Sequence, residues 1–315
     1  MMAYNHENYI SKAIEGVLMQ KTNFGFEIVI GEDCSTDKTR EIILSYKKTY
    51  PGKFKLILHE KNVGAMANQN AVFSACTGKY IAMCEGDDYW TDPYKLQKQV
   101  DFLEASTDYG MVCTDYNKLY MSNGLISKNS FKLQKYKDEV KFKDYIIDRS
   151  TIGTATVMFA THLYDSYLRD IPKEVLESFN VGDTPLWLYI MLNSRVGVLS
   201  DVTAMYLINL QSASKFVNPH DHYSFVTKGF KVPEYFLSIY NGHLKDELRT
   251  KLEKRKQLST LHYAFKVKDK KLFLDSFRQI KKQDRTIKIM LWRVGLITNF
   301  AHNIVNFILK IYKSI

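Results

Sequence analysis

The chain of 315 residues has only four cysteines, Cys34, Cys76, Cys84 and Cys113, and no two of them have C-x-x-C spacing. That spacing is what a zinc knuckle or a redox dithiol requires, so neither is indicated. Sparse, unpatterned cysteine suits a reduced cytosolic setting. No run of ~18 uncharged apolar residues is present, so no transmembrane helix is predicted. No charged-then-apolar leader opens the sequence, and repeats and low-complexity tracts are absent. Disorder is excluded by abundance rather than scarcity: 18 Phe and 21 Tyr are more aromatic surface than a solvated chain carries.

Acidic residues are scarce in one region only. Residues 227–315 hold 20 Lys+Arg against 7 Asp+Glu, whereas residues 1–226 hold 24 against 27. The acidic front suits a site that grips a cation. The basic tail suits an anionic surface, or is a solvated helical face. Nucleic acid is not indicated as a partner, because no nucleic-acid-binding motif accompanies the charge.

What is there is an alternation of helix and strand signals. Tyr9, Ile10, Ala13, Ile14, Val17 and Leu18 recur at helical spacing and predict a helix over 7–20. Short apolar runs predict strands at 27–31, 55–58, 79–84 and 110–114. Helices are expected at about 38–50 and 65–76, and Asp92-Pro93 is read as the cap and first position of another. Residues 118–150 read as an irregular loop, and from about 227 the pattern turns helical and basic. Such alternation implies an α/β fold, a mostly parallel sheet flanked by helices. The first domain is expected over 1–225 and a helical C-terminal extension over 226–315.

Ligands of such sheets sit at the carboxyl ends of the strands, and the carboxylates cluster there. Glu85-Gly86-Asp87-Asp88 follows one strand. Packed carboxylates repel one another unless a cation lies between them, and hard oxygen ligands suit Mg²⁺ or Mn²⁺. Gly86 would let the backbone approach a ligand. Glu32-Asp33 follows another strand, and Asp33 can accept an imide N–H. Each cluster alone is equally an acidic turn or a helix cap.

Five segments together change that balance. Tyr4-Asn5-His6-Glu7-Asn8-Tyr9-Ile10, Glu27 to Asp37, Asn62-Val63-Gly64, Thr77 to Ala82 and Glu85-Gly86-Asp87-Asp88-Tyr89-Trp90 resemble, in order and spacing, the family 2 inverting glycosyltransferases of GT-A fold, a Rossmann-like architecture. The resemblance implies a nucleotide-sugar donor, UDP-linked by preference, and a saccharide or lipid-linked saccharide acceptor in bacterial surface-polysaccharide assembly. It implies that Tyr4, Asn5, Glu32, Asp33, Asn62, Gly64, Glu85 and Asp87 line the nucleotide, with Asp33 on uracil. Asp88 is its first choice of metal ligand, with Asp87 beside it. Gly182-Asp183-Thr184-Pro185-Leu186-Trp187 resembles the segment carrying the family's base, so Asp183 is expected to deprotonate the acceptor hydroxyl. Asp183 also reads as a helix N-cap.

Two departures stand out. The family opens with an apolar strand before the Tyr-Asn motif; here only Met1-Met2-Ala3 precedes it, which is expected to leave neighbouring strands with unpaired backbone groups. Relatives often read Tyr-Arg-x-His where this chain has Leu207 and Asn209, so a metal or Lys215 would carry more of the diphosphate charge. These departures also suggest an alternative, a catalytically weakened nucleotide-sugar-binding partner protein. A nucleotidyltransferase would need a Gly-rich, basic phosphate loop that the N-terminal region lacks. His220-Asp221-His222 is a further metal candidate. Residues 287–311 read as an apolar and cationic helix, packed on the protein or lying on an anionic membrane, and the expected location is cytoplasmic, peripheral on the plasma membrane.

Overall fold

The computed structural model describes residues 1–131, 136, 138–147, 152–208 and 218–283. These divide into two compact units: 1–208 with 231–242, and 218–230 with 243–283. The expected helix over 287–311, and Asn209 and Lys215, lie outside the described residues.

The first unit opens with β1 (Met2–Ala3), α1 (Ile10–Leu18), β2 (Ile28–Glu32), α2 (Thr39–Thr49), β3 (Phe54–Leu58), α3 (Ala65–Ala75) and β4 (Tyr80–Ala82). β1, β2 and β3 form a three-stranded parallel sheet in that order. The amphipathic spacing of α1 buries Ile10, Ala13, Ile14 and Val17, as its sequence predicts. Asp92 accepts the Tyr94 N–H at 2.8 Å, and the next helix starts at Lys95, so Pro93 lies ahead of the helix rather than at its first position.

The short β1 satisfies more of β2 than the sequence leads one to expect. The Met1 amino group donates to Val29 O at 2.8 Å. Gly31 N–H donates to Met1 O and Asp33 N–H to Ala3 O, each at 3.0 Å. Burial pushes the pKa of that amino group below its usual value. Beside Met1, between β2 and β4, lies an apolar cavity of about 350 Å³ lined in part by Ile28, Val29, Val72, Phe73, Ile81 and Trp90.

The second sheet contains β4, β5 (Tyr89–Trp90), β6 (Tyr109–Tyr120), β7 (Ile126–Ser127), β8 (Met158–Ala160) and β9 (Arg195–Ile208), in the order β4-β8-β6-β9-β5 with β7 on β6. It is mixed: β6 and β9 run parallel over most of their length, while β8 enters antiparallel between β4 and β6. Between these strands come α4 (Lys95–Ala105), α5 (Phe142–Tyr145), α6 (Thr161–Asp170), α7 (Lys173–Ser178) and α8 (Asp183–Asn193). Helix α8 buries every residue from Thr184 to Ile190. A helix apolar on all sides belongs inside, and Trp187 stands edge-on to Phe159 with ring centroids 5.7 Å apart.

The chain passes between the units more than once. α9 (Pro219–Gly229) belongs to the second unit. α10 (Lys231–Ile239) returns to the first, because Val232, Phe236 and Leu237 form a buried stripe and Phe236 packs near Phe179. α11 (Lys245–Lys266) and α12 (Lys270–Gln283) complete the second unit. Among the described residues no helix is long and apolar enough to cross a membrane.

Candidate active site

The loops after β1, β2 and β3 leave the carboxyl ends of parallel strands and interlock. Asn5, in a left-handed conformation (φ 55°), accepts the Thr36 N–H at 2.9 Å on its side-chain oxygen. Its own N–H donates to Ser35 Oγ. Asp37 accepts the Glu7 N–H, and Glu7 in return accepts the Lys38 N–H. Tyr4 stays exposed beside them.

Asp33 ties this ridge to the third loop. Its two carboxylate oxygens accept Val63 N–H at 2.7 Å and Gly64 N–H at 3.0 Å, and Asn62 Oδ1 accepts the same Gly64 N–H. Gly64 has φ +87°, a conformation that disfavours a side chain. Glu32 has a different task. It is fully buried, accepts the Ser35 N–H and pairs with the Arg40 guanidinium, which also donates to His59 O. The ion pair holds the loop from beneath.

The Glu85–Asp88 loop is fixed to β1 by the Gly86 N–H donating to Met2 O at 2.9 Å. A Cβ on Gly86 would meet His6 Nδ1 at 2.6 Å and that carbonyl at 2.8 Å. The glycine therefore makes room for protein, not for a ligand as its sequence context suggests. Asp88 is buried, and its Oδ1 accepts the Leu207 N–H. Asp87 is partly exposed. Burial, then Asp87 and Asp183, push Glu85 up to about 8. Burial and then Asp87 also raise Asp88, against the Leu207 hydrogen bond.

Asp183 opens α8. Its Oδ1 accepts the Thr184 N–H at 2.5 Å, and its Oδ2 lies 3.4 Å from the Thr154 hydroxyl. Its charge is the last of the influences that raise Glu85, after burial and Asp87. Gly182 packs against α3: a Cβ there would sit 2.5 Å from Gln69 Oε1. The helix whose start is anchored by the Asp33–Gly64 loop therefore touches the segment carrying Asp183.

Partly desolvated carboxylates of one sign are relieved by a cation, and oxygen donors suit Mg²⁺ or Mn²⁺. Among the described residues no three His, Cys, Asp or Glu side chains close into a preformed metal centre. The donor set fits an ion that keeps waters and substrate phosphate as its other ligands, the usual habit of Mg²⁺.

The model of the family described as "Glycosyl transferase family 2" matches residues 1–165, more than half the sequence. The chain belongs to glycosyl transferase family 2. Asp183 lies beyond that match. An uncharacterized protein of Mycobacterium tuberculosis is 35% identical over 210 residues, covering 65% of this chain and 56% of its own length. The chain thus spans just over half the length of that relative. A Bacillus subtilis protein named for teichuronic acid biosynthesis, TuaG, is 31% identical over 159 residues, 50% of this chain and 58% of its own. Among solved structures, S. aureus TarS 1-349 in complex with UDP-GlcNAc superposes with TM-score 0.57 at 20% identity, over 93% of this chain and 90% of that one. Mannosyltransferase PcManGT from Pyrobaculum calidifontis, in complex with GDP-Man and Mn²⁺, gives TM-score 0.57 at 14% identity, over 96% and 80%. The GT-A-like fold is thereby established.

Within this family 2 chain, some site neighbours were assigned no role by the sequence. His6 has a buried Nδ1 with no partner, next to Gly86, and Asp87 and Asp37 oppose the burial that lowers its pKa. Thr154 and Gln69 reach Asp183 and Gly182 from positions that no spacing rule links to them. His220-Asp221-His222 belongs to the second unit, where His220 Nδ1 hydrogen-bonds the Tyr263 hydroxyl at 2.5 Å and Asn218 caps the helix. That histidine joins α9 to α11 by packing. Leu207 lies buried in β9 and acts through its backbone, not as a counter-ion.

Proposed function

We propose that this chain transfers a sugar, with inversion, from a nucleotide donor to a hydroxyl of a saccharide or lipid-linked saccharide. The observation that carries the reading is geometric: Asp33 clamps the Val63–Gly64 turn that starts α3, and Gln69 of that helix packs against Gly182, the residue before Asp183. UDP-linked donors are the first choice, in keeping with the UDP-GlcNAc bound by TarS. Tyr4, Asn5, Asp33 and the Asn62–Gly64 loop are assigned to the nucleoside. Asp33 spends one lone pair per oxygen on Val63 and Gly64; a carboxylate has about four, so it keeps acceptor capacity for an imide N–H.

The acidic loop is assigned to the diphosphate. Asp87 is the better candidate for direct metal contact because it is partly exposed, and Asp88, first choice on sequence, anchors the loop to β9 with one oxygen while keeping the other. When bound, Mg²⁺ or Mn²⁺ would supply Lewis-acid stabilisation of the departing nucleoside diphosphate. Asp183 takes the proton of the acceptor hydroxyl as that oxygen attacks the anomeric carbon opposite the leaving group. Thr184 and Thr154 hold its carboxylate in place.

Asp183→Asn tests the assignment. Sugar transfer is expected to slow by orders of magnitude while UDP-sugar binding by calorimetry persists. Transfer at the wild-type rate would remove Asp183 as the base. Glu32, read from sequence as a nucleotide contact, is assigned instead to the Arg40 pair beneath the loop.

A further inference from the structure

Hydrophobic side chains on a protein surface are ordinary when scattered; a cluster calls for an explanation. Eleven large hydrophobic side chains are exposed among the described residues, and four of them, Tyr120, Met121, Leu125 and Ile126, lie within seven consecutive positions. Leu125 and Ile126 are 64% and 51% exposed. These residues form the end of the β6–β7 hairpin.

The hairpin end is tightly built. Gly124 N–H donates to Tyr120 O at 2.8 Å and Tyr120 N–H to Leu125 O at 2.9 Å. Asn123 Oδ1 accepts the Leu125 N–H, and Gly124 adopts φ +70°. Lys118 pairs with Ser127 and Leu119 with Ile126, while Met121 N–H donates to Ile208 O and braces the hairpin on β9. A braced turn holds its apolar side chains outward.

The charge along this stretch of sequence has one sign. Between Asp115 and Asp138 the sequence carries five lysines and no Asp or Glu. Within the hairpin, Lys118 lies over the Tyr116 ring and Lys128 is exposed one residue past β7. An exposed aliphatic tip with an aromatic ring and two lysines beside it is the arrangement that enters the interface of an anionic bilayer. The aliphatic groups reach the acyl boundary, the tyrosine sits at headgroup level, and the lysines meet lipid phosphate. A protein partner would more often be met by a broader, mixed-charge patch.

We propose that the β6–β7 hairpin docks the first unit onto an anionic lipid surface, with Met121, Leu125 and Ile126 as the inserting side chains and Lys118 and Lys128 as headgroup contacts. This inference is independent of the base and donor assignments. It would also bring the unit to the surface where a lipid-linked acceptor resides.

The test uses the full chain with vesicles of phosphatidylcholine, alone or with phosphatidylglycerol. Co-sedimentation is expected on the mixed vesicles and weak on neutral ones. Combining Met121→Ser, Leu125→Ser and Ile126→Ser should cut partitioning by more than about tenfold, with unchanged thermal unfolding because all three side chains are exposed. Leu125→Trp gives a local readout: on mixed vesicles its emission should shift to the blue and be quenched by brominated acyl chains beyond the wild-type change. The proposal is overturned if the wild type ignores anionic vesicles or binds neutral ones equally. It is overturned too if the serine variant sediments like wild type and the Leu125→Trp emission does not move, which would assign binding elsewhere. Light scattering that shows a wild-type dimer turned monomeric by the serine changes would make the tip a self-association surface instead.

Discussion

The backbone N–H of Leu207 donates to the carboxylate of Asp88 at 2.9 Å, joining positions 119 apart in sequence. The bond separates two neighbouring aspartates by role. Asp88→Ala would leave a buried donor unpaired and is expected to cost about 1–3 kcal/mol, whereas Asp88→Asn keeps an acceptor and should cost less. Asp87→Ala should barely change stability yet abolish the Mn²⁺ dependence of UDP binding. Thermal unfolding of the three variants, with calorimetric UDP titrations with and without Mn²⁺, distinguishes the roles. Equal unfolding of Asp88→Ala and Asp87→Ala would contradict the anchoring role.

For Asp183, kinetics should divide cleanly. Asp183→Asn is expected to lower kcat by about 10²–10⁴-fold with little change in donor affinity. Thr154→Ala should have a smaller effect on kcat, since Thr184 still holds one oxygen of the carboxylate. A Thr154→Ala enzyme impaired only in donor KM would place that hydroxyl at the nucleotide and not at the base.

Glu32 offers a contrast with the residues assigned to the donor. Its carboxylate is buried and Arg40 is one-third exposed, 33% by side chain. Glu32→Ala is expected to destabilise the protein by about 2 kcal/mol, less than for a wholly buried pair because Arg40 is screened. Once folded, the variant should bind UDP almost as the wild type does. A large loss of affinity without loss of stability would return Glu32 to the nucleotide.

Lys95 supplies a pH test. It is fully buried, donates to Gln99 Oε1 at 2.5 Å and lies over the Trp90 ring. Burial pushes its pKa down from 10.5 to about 7. Between those values the unfolded chain binds more protons than the folded one, so stability from this group rises with pH across the window. Below 7 the cost of a buried cation is fully present. Lys95→Met should therefore gain most over wild type at pH 6 and lose that advantage as pH approaches 10.5. Urea denaturation across that range measures it, and a pH-independent difference would show that Lys95 does not titrate there.

The parallel strands were legible because each is a short apolar run ending in polar residues, as at Ile28–Glu32 and Phe54–Leu58. β8 was not, since three residues, Met158–Ala160, leave no period to detect and their antiparallel entry is fixed by neighbours distant in sequence. The length of β6 was hidden as well: Lys118 and Tyr120 read as loop but pair with β9 beyond the buried part of the sheet. At the site, the carboxylate cluster after β4 singled out Glu85, Asp87 and Asp88, and the family resemblance singled out Asp183. Which aspartate turns inward could not be read, because the two are chemically identical until β9 supplies Leu207. The ion pair of Glu32 was hidden for a similar reason, its partner Arg40 being the second residue of the next helix.

The pocket beside Met1 has a chemical consequence: it is half open with mainly apolar walls, so a small hydrophobic solute that settles there would bind the folded chain alone and raise its melting temperature.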